Sequence, residues 1–311
     1  GRRMTDTLTN LPPDPILERR HKIHERAAQT IGRRTLISRI YVALLLAAFV
    51  LALVPLGSVI IALLQKGIAS ISWPFLHTLP TQPSLVSQNA IGGIGNAIEG
   101  TVIIDGLAGL IAVPIALLVG LYLAESATRV ANFLRAITEI MTGLPSILLG
   151  VFAYEYVVVP MKSFSGMAGI VALAVLMVPV IAKASEIAFR GVPTTLKEAG
   201  LALGARNSRV TRGIIIPAAM PGVITGVLLS LARAMGETAP ILLVIGASSG
   251  WTWNPMHQMS ALPLLTYNYS GSQYPSQRAA AWGVALTLVI MVMVLSLGSR
   301  YVSTRMRRER H

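Results

Sequence analysis

Charges are so sparse along this chain that the gaps between them predict its architecture. Ile40–Leu64 runs 25 residues without a charge, Gly106–Ala124 runs 19, Ser163–Ala182 and Gly213–Ala232 run 20 each, and Ala279–Ser299 runs 21. A helix needs roughly 20 apolar residues to cross about 30 Å of hydrocarbon, so each run predicts a membrane span. A shorter run, Ile140–Tyr154, continues past Glu155 to Val159 and predicts a sixth. The first apolar run follows 39 polar and basic residues, too far along and too long for a cleaved signal peptide. The expected fold is all-α: a polytopic membrane protein with six transmembrane helices. Repeated uncharged runs of this length set it apart from a large soluble helical core.

Composition agrees. Charged residues make up 13% of the 311, hydrophobic residues 53%, and the mean hydropathy is +0.65. The charged share is about half the ~25% usual in soluble domains. With no cysteine in the chain, disulfides, zinc–thiolate sites and cysteine nucleophiles are excluded. A net charge of +13 would suggest nucleic acid if it formed one face, so where the cations lie decides its meaning. Twenty-two of the 26 lysines and arginines fall in residues 1–39, the second and fourth links between spans, and the tail. The opposite links hold only Lys66, Lys162 and Arg278. Cations stay cytoplasmic near short loops, which predicts both termini in the cytoplasm and no nucleic-acid partner.

The chain therefore divides into a basic cytoplasmic arm (1–39), a transmembrane domain (40–302) and a cytoplasmic tail (303–311). In the arm, Ile16, Ile23, Ala27 and Ile31 recur near helical spacing among basic residues. That suits a helix on the anionic lipid surface or a solvated arm, and the sequence leaves both open. Residues 65–90 carry Pro74, Pro80 and Pro83 and predict a constrained external loop. Residues 247–277 carry Trp251, Trp253, Tyr267, Tyr269 and Tyr274, which fit interfacial anchoring and partner docking equally well.

Soluble-enzyme chemistry finds no support. A Walker A loop needs Gly directly before its Lys, and the five lysines follow His21, Gln65, Met161, Ala182 and Leu196. His21 and His24 are the one close histidine pair, more simply read as solvated than as metal ligands. Neither a Gly-x-Ser-x-Gly elbow nor a His-Glu-x-x-His helix occurs.

The link between the fourth and fifth spans, about 191–213, says most. Pro193, Thr194 and Thr195 predict a helix start, Leu196–Leu203 is helix-compatible, and Gly204 is a natural stop. Asn207 or Ser208 is suited to cap a second helix, which Pro217 and Pro221 should break or redirect. Glu198-Ala199-Gly200, then Gly204, then Ile214-x-Ile216-Pro217 resembles the EAA loop of importer-type ABC permeases. Their pattern is Glu-Ala-Ala, three residues, Gly, nine residues, Ile-x-Leu-Pro. The spacing matches, with Gly200 for the second Ala and Ile216 for Leu. Gly200 should loosen its helical turn by up to about 1 kcal/mol relative to Ala. The resemblance implies a loop that docks into a groove of a cytoplasmic ATPase.

Arg233-Ala234-Met235-Gly236-Glu237-Thr238-Ala239-Pro240 is similar to the Arg-Ala-x-Gly-Glu-Thr-Ala-Pro segment of PstA-type phosphate permeases. Gly143-Leu144-Pro145-Ser146-Ile147, Gly93–Ile98 and Ala184-Ser185-Glu186 look alike too, so the resemblance covers about 90–300. It implies a type I importer permease of a bacterial plasma membrane that moves inorganic phosphate. Implied partners are a sister permease, an ABC ATPase dimer and an extracytoplasmic phosphate-binding protein. This chain would hold no cofactor, since the ATPase binds ATP and Mg. The rivals are a permease for sulfate or molybdate, and a secondary transporter, which would show inverted repeats.

An ionisable residue within a span costs about 2.5–3.5 kcal/mol on insertion scales and is a functional candidate by default. Arg233 and Glu237 are four apart, hence predicted on one helical face. The arginine fork matches phosphate oxygens, and Glu237 would accept a hydrogen bond from protonated phosphate. An internal salt bridge that packs helices is the other reading. Lys183 stands where similar permeases commonly carry Arg, and suits either the substrate path or a snorkelling anchor. Glu99, Asp105, Glu139 and Glu155 receive no assignment.

Overall fold

The computed structural model describes residues 15–81 and 92–308. Pro83 and the loop around it lie outside the described residues, as do the first 14 and last three positions and the side chains of His21 and His24. The helices are α1 (Pro15–Ser70), α2 (Trp73–His77), α3 (Gly95–Glu125), α4 (Arg129–Gly143), α5 (Ser146–Ala153) and α6 (Val159–Met161). They continue with α7 (Gly166–Arg190), α8 (Thr194–Ala202), α9 (Asn207–Val210), α10 (Ile216–Ala234), α11 (Ala239–Leu242), α12 (Leu262–Ser270) and α13 (Pro275–Arg308). No strand occurs among the described residues.

The chain divides between Ile61 and Ala62. The first unit is helical from Pro15, and its described side chains from Ile37 to Leu56 are exposed. The second unit holds everything else. Among the described residues, five helices are long and apolar enough to cross a membrane: Ile37–Ser70, Gly95–Glu125, Gly166–Arg190, Asn207–Ala234 and Pro275–Gly298.

The expected span at Ile140–Val159 is not one rod. Arg129–Gly143 and Ser146–Met161 meet at 101°. Pro145 forces Leu144 out of the helical region, to φ −70° and ψ 140°, so Ile140–Gly143 belongs to the preceding helix α4. The apolar half starts only at Ser146.

Proline also explains two π-helical turns, Tyr154–Val158 and Thr211–Ile215. Each precedes a proline by two residues, Pro160 and Pro217. A helical proline lacks its N–H and clashes with the carbonyl four residues back. Here those positions are Tyr156 and Gly213, both inside the widened turns, which accommodate the ring without a break. Pro217 and Pro221 therefore do not interrupt the helix as the sequence suggested; Asn207–Ala234 continues through both.

Small residues set the core. α3 and α7 run parallel: Gly120 abuts Ala182 and Ser185, while Gly169 abuts Ile104. A Cβ on Gly120 would come within 2.7 Å of the Ser185 Cβ. Ala108, Ala112, Ala116, Ala168 and Ala172 are fully buried along this seam. Such side chains let membrane helices approach closely enough for dispersion to hold them. α10 crosses α7 in the opposite direction, with Gly226 against Ala184.

The link at 247–277 is less loop-like than its sequence suggested. It contains α12, whose Leu262, Leu265 and Tyr269 join Phe75, Ile94 and Val284 in a buried cluster. Burial pushes the Tyr269 phenol up from its ordinary pKa. Trp253 and Tyr267 remain exposed.

At the opposite end, Glu186 is buried between two arginines. Its Oε1 lies 3.0 Å from Arg135 Nε and 3.0 Å from Arg190 Nη2. Both guanidinium groups also donate to the Leu123 carbonyl near the end of α3, each at 3.1 Å. One carboxylate thus joins α3, α4 and α7. Removing one partner of a buried pair costs roughly 3–5 kcal/mol, and the partial exposure of the arginines puts this site near the low end. Glu186→Ala should therefore lower the unfolding midpoint of the detergent-solubilised protein clearly. Glu139→Ala, at an exposed ion pair worth about 0–1 kcal/mol, should barely move it.

Candidate functional site

α10 ends at Ala234, one residue after Arg233. The chain then turns tightly: Gly236 N–H donates to the Arg233 carbonyl at 3.0 Å and Glu237 N–H to the Ala234 carbonyl at 2.9 Å. Arg233 and Glu237 consequently do not share a face of a continuous helix. The turn brings them together instead, with Arg233 Nε 3.6 Å from Glu237 Oε1. That is an ion pair without hydrogen-bond geometry. Beyond it, α11 carries Pro240 and Ile241 into the core, where a Cβ on Gly150 of α5 would lie 2.7 Å from the Pro240 carbonyl oxygen.

Ala234 and Met235 are buried at this break, whereas Gly236 and the Arg233 guanidinium are exposed. The Arg233 side chain is 61% exposed and that of Glu237 20%. The ion pair faces off the surface of this chain.

Lys183 lies on α7 and pairs with Glu139 of α4 at 3.8 Å, both exposed. Gly226 meets Ala184, so Arg233 sits seven residues further along α10, about 10 Å from the level of Lys183. Among the described residues each cation has its own carboxylate, and no hydrogen bond or ion pair joins the two sites. Of the other carboxylates, Asp105 is buried with Oδ1 unpartnered in the wall of an apolar groove of about 390 Å³ between α3, α10 and α13. Glu155 is exposed in the first π-helical turn and Glu99 is half-buried near the start of α3.

A cavity of about 470 Å³ lies between the 247–249 segment and α12, lined by uncharged polar side chains such as Ser249, Asn268 and Gln273. Neither Arg233 nor Lys183 reaches it. No group of three or more His, Asp or Glu suited to a metal occurs among the described residues.

The loop at 191–213 forms the two expected short helices, α8 and α9. Gly204 ends the first in a left-handed conformation, φ 77°, that glycine adopts without a Cβ penalty. Capping differs from expectation. Arg206 occupies the cap position of α9 without a side-chain bond, and its carbonyl accepts from Arg209 and Val210. Glu198 and Ala199 are exposed, and Leu203 is 89% exposed. Gly200 is buried: a Cβ there would lie 2.9 Å from Ile214 Cδ1 and 3.0 Å from Val210 Cγ2. The departure from alanine is thus where two branched side chains close over α8. Pro217 sits in the first turn of α10.

Two contacts were not legible as such. Lys197 of α8 pairs with Glu125 at the end of α3, and Glu186 joins Arg135 to Arg190. In the sequence their cations registered only as topology signals.

A bundle of broken and unbroken membrane helices, with a two-helix loop projecting from it, has the architecture of a membrane permease. The fold is similar to a chain of the MetNI methionine ABC transporter in an inward-facing conformation. The TM-score is 0.56 at 25% identity, over 68% of this chain and 94% of that one. Residues 112–308 match the binding-protein-dependent transport system inner membrane components. The phosphate transport system permease protein PstA 1 of Mycobacterium tuberculosis is 34% identical over 89% of this chain and 91% of its own length. The PstA protein of Haemophilus influenzae is 36% identical over 78% and 85%. A probable PstA protein of Methanocaldococcus jannaschii is 34% identical over 86% and 94%. The chain belongs to the binding-protein-dependent inner membrane permeases, and within them to the PstA family.

Because Val210 and Ile214 lie so close to Gly200, larger side chains there must displace those two side chains or α8 itself. Overpacking of this kind costs about 1–3 kcal/mol. Gly200→Val should raise proteolysis of the 191–213 loop severalfold while Ala199→Val, on the exposed side, leaves it unchanged; limited proteolysis in detergent measures both.

Proposed function

We propose that this chain is the permease subunit of an ATP-driven importer and forms one side of the path by which inorganic phosphate enters the cell. The observation that carries the reading is Arg233: a permanent cation at the end of a long apolar run, beside Glu237, facing off the subunit. A guanidinium in that position needs water or another polar surface around it. A sister permease facing this one would enclose such a polar path. Since the pair is not buried among this chain's own helices, an internal packing role has little to act on.

Phosphate entering the path loses hydration, and a bidentate, charge-assisted contact with Arg233 offsets part of that loss. Glu237 accepts a hydrogen bond from a protonated phosphate oxygen. Sulfate, fully ionised near neutral pH, has no proton to offer and meets repulsion instead. Glu237 also holds Arg233 in a weak ion pair, so the anion exchanges one partner for another rather than being trapped. Lys183, deeper along the path and paired with Glu139, is a second point charge for the anion.

The loop at 191–213 is the docking element for the ATPase dimer, whose subunits hold ATP and Mg. Glu198, Ala199 and the exposed Leu203 form the outward surface of α8. Both termini then lie in the cytoplasm, and the face carrying α12 lies outside the bacterial inner membrane, where a phosphate-binding protein delivers substrate.

Reconstituted complexes test the path. Arg233→Gln should abolish phosphate uptake without loss of the ATPase from the complex. Arg233→Lys keeps the charge but loses the fork; forfeiting a charge-assisted hydrogen bond of about 1.5–3 kcal/mol should slow uptake roughly 10- to 100-fold. Glu237→Gln should admit sulfate or change the pH dependence of uptake. Normal uptake by Arg233→Gln would remove the residue from the path. Docking is tested separately: Glu198→Lys should reduce ATPase recovery, and unchanged recovery with full uptake would exclude this role.

A further inference from the structure

The coupling helix α8 has a very small inward face. Of its nine residues only Gly200 is buried, and only Lys197, one turn earlier on the same side, is half-buried. Gly200 packs on Val210 and Ile214, which lead into α10. With Val192 and Ala205 on its flanks packed on the same apolar cluster, α8 rests on one side only and can pivot over that contact. What opposes the pivot is Lys197, whose Nζ lies 2.5 Å from Glu125 Oε2, with side-chain exposures of 33% and 24%.

Glu125 is the last residue of α3, and that helix end is itself fixed. Two residues earlier, the Leu123 carbonyl accepts hydrogen bonds from Arg135 and Arg190, which Glu186 binds together. Side chains of α3, including Leu117, Leu121 and Ala124, pack on the cluster of Val210, Ile215 and Ala219 beneath the loop. The carboxylate that receives Lys197 therefore stands on an immobilised support.

We propose that Lys197 and Glu125 are positioning residues, forming the second attachment of α8 and tying its movement to α3 as well as to α10. This rests on the reading of α8 as the ATPase-docking helix. With two attachments, a push on the outward surface translates α8 together with α3 and α10; with one, α8 tilts about Gly200 and the movement is lost before reaching the membrane helices. The pair determines how much transport each ATP drives, not whether the ATPase binds.

The test uses the full complex in proteoliposomes loaded with binding protein outside. It records ATPase recovery, ATP hydrolysis and phosphate transported per ATP. Lys197→Met and Glu125→Gln should each retain the ATPase and lower phosphate moved per ATP at least fivefold. The double variant should be no worse than either single, because one interaction is lost in all three. Lys197→Arg, which keeps the ion pair, should stay within twofold of the parent chain. Unchanged transport per ATP in the single variants overturns the proposal, as do losses that multiply in the double variant. Loss of the ATPase from Lys197→Met also overturns it, since Lys197 would then belong to the docking surface. Glu198→Lys assayed alongside separates the two readings: full ATPase recovery with full uptake there rejects docking through α8, whatever the Lys197 variants do.

Discussion

Hydrocarbon supplies no hydrogen bonds, so a helix that breaks within the membrane must hide its loose backbone groups against protein. This chain breaks twice, at Leu144–Pro145 and at Met235–Thr238, and the segments that follow the breaks cover one another. α5 follows the first and α11 the second, and Gly150 of α5 abuts Pro240 of α11. Together they form one buried contact, with Ile241, Val244 and Ile245 closing against α7 and the α3 seam. The turn that presents Arg233 and Glu237 leads directly into this anchored segment, with Pro240 and Ile241 buried just beyond it. In the proposed path such a support lets the Arg233 and Glu237 side chains exchange partners while the backbone of α11 stays in place.

The sequence made the spans legible because solvation by lipid acts on each residue separately. A run without charge is apolar whatever its neighbours do, so five membrane helices and the loop helices could be read directly. Features that depend on relations between distant residues could not. Pro145 was visible, but nothing local says whether a proline in an apolar run kinks a helix or ends it. Pro217 and Pro221 look no different, yet a π-helical turn accommodates Pro217 and the helix continues. The outcome rests on contacts made further along the chain, such as that of Gly150 with Pro240. α12 was missed for a related reason. Its Leu262–Leu265 run is too short to signal a span, and only the cluster with Phe75, Ile94 and Val284 gives it a place.

The site divides along the same line. Residue identity and spacing singled out Arg233, Glu237 and the 191–213 loop. That Arg233 faces off the subunit could not be read, because four-residue spacing implied a continuous helix and hence a defined face. Basic residues posed a different difficulty. Arg135, Arg190 and Lys197 satisfied the charge bias of membrane topology, and that sufficient explanation concealed a second use. The same cations close the end of α3, two through Leu123 and Glu186, one through Glu125.

These placements give the helix from Asn207 to Ala234 a particular mechanical character. Its 28 residues join the loop at one end to Arg233 at the other, a length of about 40 Å. Gly226 lets it lie close against α7 at Ala184, so its middle is guided by a packed seam. The widened turn at Thr211–Ile215 sits between that guided length and the loop, where a π-helical geometry weakens the backbone ladder. A movement arriving from the loop therefore meets the weakest part of the helix first. Packing of Val210 and Ile215 with Phe189 and Val223 stiffens this joint from one side. The support at the end of α3 stands beside that cluster, which Leu117, Leu121 and Ala124 of α3 join, so an apolar contact and an ionic one lie together under one face of α8. Apolar packing resists separation but permits sliding, whereas a paired charge on a fixed helix end resists displacement sideways. The inward face of α8 carries both kinds of contact, Gly200 on the apolar cluster and Lys197 on the ionic one, as the proposed coupling role would require.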